Sequence, residues 1–581
     1  MPAKSGSQKL RIALAQINTI VGDISGNTAK IIEYTDRARE AGADIVVFPE
    51  LTVCGYPPED LLLKPSFVQD NIKAIRQIAE HAKGITAIVG FVSVDGDIHN
   101  SAAILSDGHI AGITDKIFLP NYGVFDEDRY FGAGQGTSVY ELGNVKFGVE
   151  ICEDIWYADG PHAAQSMIGG AHLIIDINSS PFYAGKWKSR ERMLGTRASD
   201  NACAIVYLNA VGGQDELVFD GHSLVLDASG EVIFRCKAFE EQLAIVELDL
   251  AGIEHQRLVD PRRRKAKHMQ RMEMDVDCIP LVHKPAGVPV KLESESSDPP
   301  GDLEEVYKAL VVGTRDYVHK NKFKKVVLGL SGGIDSAIVA CIAVDALGPD
   351  MVRVLIMPSE FSSNATQSDA QIMAENLGIR YDYIPISEVF GAYKHSLESV
   401  FEGREPDVAE ENLQARIRGN MLMALSNKLG CLVLTTGNKS EMACGYSTLY
   451  GDMAGGFAVI KDVPKTLVYK LSHYRNENGH PIPDSIIYRA PSAELRLNQT
   501  DQDSLPPYDL LDQILELYVE DDRSVQDMIG MGFDEAIVRR IVSLVDRNEY
   551  KRRQAAPGVK ITHKAFGRDR RLPLTNGYRE S

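Results

Sequence analysis

Two short stretches carry side chains whose types and spacing could do chemistry. The first is Ser331-Gly332-Gly333-Ile334-Asp335-Ser336, which follows the apolar run KKVVLGL and leads into DSAIVACIAVDAL. A strand that turns through bare glycine backbone into a helix lets a pyrophosphate approach closely. Backbone N–H groups and the helix N-terminus supply partial positive charge there, and the serine hydroxyls donate further bonds. Asp335 would repel phosphate unless its task is to hold Mg2+. The loop lacks the GK[ST] ending of a Walker A loop, so transfer of a γ-phosphoryl group is not what it suggests. The second stretch is VKFGVEICED. Val145, Phe147, Val149 and Ile151 share one face of a strand by period two, which sends Cys152 to the other face with Glu150. Buried, inert thiols are the common state of cysteine, and Cys54, Cys203 and Cys341 read that way. Cys152, flanked by Glu150, Glu153 and Asp154, reads as a nucleophile.

The elements that must position these groups fall into two sets. From residue 10 to about 250, short apolar runs such as LRIALAQI, ADIVVFPEL, TAIVGFVSV, HLIIDINSS and ACAIVYLNAV alternate with polar helical stretches, the rhythm of a layered α/β domain. Hairpin-like turns, as at Asp227 to Gly230, predict a mixed sheet, and a two-sheet sandwich flanked by helices fits best. Between 255 and 300 the pattern gives way to Arg262, Arg263, Arg264 and Lys265, then to HKPAGVPVKLESESSDPPGD, which reads as an interdomain connection. The basic run reads as a solvated helix face. Beyond it, helix, strand, Gly-rich loop, helix and strand describe a doubly wound parallel sheet, whose ligands sit at the carboxyl ends of the strands. The expected division is 1–260, 261–300 and 301–581. Met531, Gly532 and Phe533 read as a turn between helices inside the second domain.

Bulk properties bound the function. A chain of 581 residues exceeds one hydrophobic core, and 44% hydrophobic with 25% charged residues is the composition of a globular protein. A formal net charge of -19 repels phosphate backbones and anionic lipid, which argues against nucleic acid and membrane partners. The start of the chain lacks the apolar core of a signal peptide, and no stretch holds about 18 unbroken apolar residues. Eight cysteines stand singly with no CxxC, a pattern of reduced thiols that predicts a cytoplasmic protein.

The loop spanning Gly329, Leu330, Ser331, Gly332, Gly333, Ile334, Asp335 and Ser336 resembles the pyrophosphate loop of the N-type ATP pyrophosphatases, which cleave ATP to AMP and pyrophosphate. LVLTTGNKSEMACGYSTLYGD, ENLQARIRG and PSAELRLNQTDQDSLPPYDLLD resemble the NAD synthetase branch of that superfamily. By that resemblance Thr436 contacts ATP, and Glu441 joins Asp335 at the metal or faces the dinucleotide. Asn412 and Arg416 sit near the substrate, and Lys551, in NEYKRRQAAPG, lies near the deamido-NAD site. The chain has Leu449 after Thr448 where the ammonia-dependent branch has a lysine, so that contact is not carried over.

Residues 10 to 260 resemble the nitrilase superfamily, with Glu50, Lys116 and Cys152 matching its triad. A thiolate attacks the side-chain amide of glutamine, ammonia leaves, and water releases glutamate from the thioester. Glu50 is then the general base and acid, and Lys116 the donor to the tetrahedral oxyanion. The resemblance implies Tyr122, Ser180 and Lys186 for the glutamine amino acid moiety, with Ser179 as the neighbouring alternative. GGQDELVFDGHS matches as well.

Taken over nearly the whole chain, the resemblance is to glutamine-dependent NAD synthetases. It implies a nitrilase-like α-β-β-α sandwich followed by a doubly wound domain, and small-molecule substrates glutamine, ATP and deamido-NAD with Mg2+. It further implies a homo-oligomer and a sheltered passage for ammonia. Another synthetase built on the same ATP loop, amidating a purine or aspartate, is the competing enzyme reading, and the product distinguishes it. A glutamine- or nucleotide-binding regulator without amidase activity is the competing non-enzyme, and Glu50, Lys116 and Cys152 all being present speaks against it.

Overall fold

The computed structural model describes residues 9–261, 263, 265, 275–282, 294–496, 499–578 and 580. Arg262, Arg264 and much of the Pro- and Ser-rich connection lie outside the described residues. Two compact units are present: Met1–Gln214 with Phe219–Pro300, and Gly301–Ser581 with Asp215–Val218.

In the first unit, alternation along Lys9–Gln16 sets the layering. Leu10, Ile12 and Leu14 enter one buried cluster while Ala13 and Ala15 enter another, as period two requires. The first cluster fills the space between two sheets, and the second joins the outer face of one sheet to helices Ile24–Glu40 and Pro65–His81. Asp23 caps the former helix by accepting from the Gly26 N–H at 3.0 Å, and Ile31, Tyr34, Thr35 and Ala38 bury one stripe.

The first sheet orders its six strands Gln242–Asp249, Lys9–Gln16, Ile45–Val47, Thr86–Asp95, Asp97–Ser106 and His109–Asp115. The second orders seven as Val232–Arg235, Leu224–Leu226, Ala204–Asn209, Leu173–Asn178, Val145–Ile151, Thr137–Leu142 and Val276–Pro280. Both sheets mix parallel and antiparallel pairs, as the hairpin turns suggested. Helices Pro161–Met167 and Lys186–Asn201 cover the second sheet, completing an α-β-β-α sandwich.

Two expectations are corrected here. The stretch expected only to connect domains supplies an edge strand, Val276–Pro280, parallel to Thr137–Leu142. Arg263 is no solvated side chain: its guanidinium donates to the Ser166 and Asn201 carbonyls at 2.7 and 2.6 Å, near the ends of two helices, whose last carbonyls have no acceptor role within the helix.

The second unit is built on five parallel strands in the order Arg380–Tyr383, Val352–Ile356, Val326–Gly329, Leu432–Thr435, Phe457–Ala458. The order reverses between Val326–Gly329 and Leu432–Thr435, so a crevice opens at their carboxyl ends. Helix Ile334–Leu347 is buried on nearly all sides, which its run of Ala, Ile and Val requires. Met531, Gly532 and Phe533 form the turn between Val525–Gly530 and Glu535–Arg547, within a helical cluster. Among the described residues no helix is long and apolar enough to cross a membrane, and all eight cysteines are unpaired.

One close approach governs where the end of Ile45–Val47 lies. A Cβ on Gly90 would sit 2.4 Å from both the Pro49 carbonyl and the Leu51 nitrogen. Gly90→Ala is expected to lower stability by about 1–3 kcal/mol, the usual cost of overpacking, read as a fall in unfolding midpoint. An unchanged midpoint would show that the Pro49–Leu51 segment yields freely.

Candidate functional site

The sandwich brings together residues far apart in sequence, each just past the carboxyl end of a strand. Glu50 follows Ile45–Val47, Lys116 follows His109–Asp115, Cys152 follows Val145–Ile151 and Ser179 follows Leu173–Asn178. Lys116 Nζ lies 2.8 Å from Glu50 Oε1 and 2.9 Å from the Glu127 carboxylate, all three side chains being buried. Glu50 also accepts from Asn100 Nδ2 at 2.7 Å and from the Ser179 N–H at 2.9 Å, while the Tyr56 hydroxyl donates to Glu127 at 3.0 Å. Burial works against the Lys116 charge, but Glu127 and Glu50 more than offset it and hold the ammonium well above its ordinary pKa. Burial, and then the charge of Glu50, push the Cys152 thiol well above its ordinary pKa.

The direction of Cys152 differs from the alternation argument. Its φ is 52°, and it opens the tight turn Cys152–Trp156, so the strand periodicity stops at Ile151. That kink returns Cys152 to the inter-sheet side with Val149 and Ile151. Glu150 stays on the opposite side, where its carboxylate accepts from His162 Nδ1 at 3.1 Å. The Cys152 N–H donates to Asp176 Oδ1 at 2.8 Å, which fixes the turn.

Around this centre, the Tyr122 hydroxyl donates to Glu153 at 2.9 Å. Lys186, the first residue of its helix, donates to Ser180 Oγ and the Pro181 carbonyl, each at 2.7 Å. A buried chain stands behind them: Arg190 pairs with Asp220 at 2.6 Å, Asp220 accepts from Asn209 at 2.9 Å, and Asn209 accepts from the Ser180 N–H at 2.9 Å. Ser179 is committed elsewhere, donating its hydroxyl to the Glu50 carbonyl at 3.0 Å.

In the second unit a cavity of about 490 Å³ opens at the crevice. Gly329 through Ser336 line it, with Thr436, Asn412, Glu441 and Lys551. Gly332 adopts φ 80°, and a Cβ there would sit 2.2 Å from the Thr366 carbonyl, so the loop tolerates only glycine. Ser331 Oγ accepts from the Gly333 N–H at 3.2 Å, and Ser336 Oγ accepts from the Ser331 N–H at 3.2 Å, holding the loop in a tight arc at the helix start.

Asp335 contacts Lys465 Nζ and accepts from Asn438 Nδ2 at 3.2 Å, and Lys465 lies 3.4 Å from Glu441. Burial, then the neighbouring Asp335, push the Glu441 carboxyl up to about 8. Burial raises Asp501 too, beside Tyr508 at 2.8 Å. Thus carboxylates outnumber the cation they face. Among the described residues no cluster of three or more His, Cys, Asp or Glu could hold a metal ion by itself. Two oxygen donors in a negative pocket do fit Mg2+, which is typically held by one or two carboxylates together with substrate phosphates.

Asn412 accepts from the Thr448 hydroxyl at 2.8 Å, and Lys551 donates to the Gly445 and Ser447 carbonyls at 2.7 and 2.9 Å. Arg416 is exposed and lines an adjoining hollow of about 480 Å³ rather than the main cavity.

A carbon-nitrogen hydrolase family model matches residues 11–258, and an NAD synthase family model matches 306–555. A glutamine-dependent NAD(+) synthetase of Thermotoga maritima is 51% identical over 99% of this chain and 100% of its own. The chain belongs to the glutamine-dependent NAD(+) synthetases. One from Aquifex aeolicus is 48% identical over 98% of this chain and 100% of its own. The solved structure of an Acinetobacter baumannii glutamine-dependent NAD+ synthetase in complex with adenosine diphosphate is 42% identical. It covers 99% of this chain and 100% of that one with a TM-score of 0.74.

Several residues that build this synthetase's two sites were not singled out from sequence. Glu127 stands among Asp126 and Asp128, and nothing in the spacing marks it; its pairing with Lys116 is made by the fold. Lys465 did leave a trace: it is the first residue of helix Lys465–Asn476, where a cation opposes the helix dipole unless acids meet it. Arg418 and Arg489 line the cavity, donating to the Met357 and Gly332 carbonyls at 3.0 and 3.1 Å.

The raised Glu441 carboxyl carries a sign. Its folded value of about 8 exceeds the ordinary 4.5, so its contribution to stability is complete below 4.5 and is lost as pH rises through about 8. In metal-free protein, Glu441→Gln is expected to flatten the fall in unfolding midpoint across that window. An equally steep fall in the variant would assign it to other groups.

Proposed function

We propose that the chain hydrolyses glutamine in its first unit and uses the ammonia in its second to convert deamido-NAD into NAD, with ATP split to AMP and pyrophosphate. The observation that carries the reading is Lys116 held between Glu50 and Glu127 beside Cys152, in one chain with a pyrophosphate-type loop. Full-length likeness to glutamine-dependent NAD(+) synthetases supports it.

In the amidase, Glu50 takes the Cys152 proton as sulfur attacks the glutamine side-chain carbonyl carbon. Lys116 Nζ donates to the oxygen as it gains negative charge, a contribution typically worth about 10²–10³ in rate. Glu50 passes the proton to the leaving nitrogen, and ammonia departs from the thioester. Water then gives a proton to Glu50 and adds to the thioester carbon, the C–S bond breaks, and the proton returns to sulfur with release of glutamate. Lys186 with Ser180, backed by Asn209, Asp220 and Arg190, is suited to the glutamine carboxylate, and Tyr122 with Glu153 to the ammonium group. The Ser179 hydroxyl already serves the Glu50 segment, which favours Ser180 as the ligand contact.

In the synthetase, the loop from Gly329 to Ser336 presents N–H groups and hydroxyls to the ATP phosphates, with Lys465, Arg418 and Arg489 as flanking cations. Asp335 and Glu441 would hold Mg2+, which offsets phosphate charge when bound. Asn412, Arg416 and Lys551 are assigned to deamido-NAD, Arg416 from the adjoining hollow. The nicotinate carboxylate attacks the α-phosphorus and pyrophosphate leaves. Ammonia then attacks the acyl-adenylate carbon, AMP leaves, and the amide of NAD remains.

Purified protein given deamido-NAD, ATP and Mg2+ is expected to form NAD, AMP and pyrophosphate with either glutamine or ammonium. Cys152→Ala is expected to lose glutamine-supported synthesis and keep ammonium-supported synthesis, whereas Asp335→Asn loses both. Loss of both in the cysteine variant, or no AMP from wild type, would overturn the division of labour.

A further inference from the structure

We infer that Asp154 is the positioning residue that holds the oxyanion lysine against the nucleophile, a role resting on the amidase reading above. Lys116 and Cys152 belong to different sheets: one follows His109–Asp115 in the first, the other Val145–Ile151 in the second. Apolar packing between sheets fixes their spacing but has no directionality, so it leaves their relative position along the strands loosely set. Directional links have to supply that, and besides Ser179 donating to Glu50 one link spans the two reacting segments themselves.

Asp154 provides it. Its Oδ1 accepts from the N–H groups of Ile117 and Phe118 at 3.1 and 2.9 Å, the two residues after Lys116. Its Oδ2 accepts from the Ile151 N–H at 3.3 Å, the residue before Cys152. One buried carboxylate therefore ties both backbones at the points from which the reacting side chains depart. Phe118 and Tyr157 reinforce the same junction, their rings stacked at 3.8 Å and 9°. The neighbouring buried acids are otherwise engaged, Asp176 on the Cys152 N–H and the Asn178 amide and Glu150 on His162. Burial pushes the Asp154 carboxyl up to about 8, with the Phe118 and Ile151 N–H groups and the Lys116 charge pulling against it.

An amide cannot replace this carboxylate. Asparagine keeps one acceptor oxygen and brings two N–H donors, so one of the two segments would face a donor against a donor. The link would open, and Lys116 would shift relative to the carbon attacked by Cys152.

The test uses the full chain with Asp154→Asn. Glutaminase kcat is expected to fall about 10²-fold, the cost of a misplacement on the ångström scale, with the KM for glutamine little changed. Alkylation of Cys152 by iodoacetamide is expected to proceed at the wild-type rate, because it forms no oxyanion and draws only on the thiol and Glu50. Unchanged kcat would overturn the inference. So would kcat and alkylation falling together, which is the mark of a collapsed first unit. If the asparagine chain is not recovered folded, Asp154→Ser, which removes the carboxylate without adding opposed amide donors, is read by the same two rates. Absence of glutaminase in wild type would instead sink the amidase reading.

Discussion

An ammonium group taken out of water is stable as a cation only where opposite charge meets it at contact distance. Both sites are organised by that constraint. In the first unit Lys116 stands between Glu50 and Glu127, and in the second Lys465 stands between Asp335 and Glu441. Neither lysine can move without leaving carboxylates unpaired in a buried setting, so the loops that carry those acids are fixed by electrostatics as much as by packing. The acids come from separate elements: Glu50 follows a strand, Glu127 lies in the turn Glu127–Arg129, and Asp335 and Glu441 lie in the helices Ile334–Leu347 and Lys439–Cys444.

The two arrangements serve opposite ends. Around Lys116 the two carboxylates are met as well by Asn100, the Ser179 N–H and Tyr56, and in the proposed amidase the lysine acts when the carbonyl oxygen of a neutral amide acquires charge. Around Lys465 the carboxyl groups of Asp335 and Glu441 outnumber the cation, and burial, then Asp335, push the Glu441 carboxyl up to about 8. That arrangement suits the proposed binding of a divalent cation together with phosphates.

Much of this was legible in the sequence, for identifiable reasons. Period-two runs and hairpin turns gave the mixed sandwich, and the strand, Gly-rich loop and helix gave the parallel sheet, because those patterns are local. Gly332 sits where only glycine fits, in keeping with the bare backbone expected there, and the serines beside it close the loop in an arc. The direction of Cys152 was misread because a single left-handed residue ends the alternation, and no composition signal announces such a turn. Glu127, Asn100 and Asp154 could not be ranked above neighbouring polar residues, since what distinguishes them is contact with segments remote in sequence: Glu50 and Lys116 for the first two, Ile117 and Phe118 across the sandwich for Asp154. Arg263 looked like one member of a solvated basic run until two helix ends were found to need its donors. The parallel strand Val276–Pro280 was hidden by the Pro- and Ser-rich surroundings that punctuate it.

Lys186 and Lys465 each occupy the first position of a helix, where the peptide dipoles already present a positive end. Two like fields thus overlap at each helix start, so each ammonium keeps its place only while acceptors meet it: Ser180 and the Pro181 carbonyl for Lys186, Asp335 and Glu441 for Lys465. Backbone direction and side-chain charge are thereby coupled, and removing an acceptor at either place would set a bare cation against the positive end of its own helix.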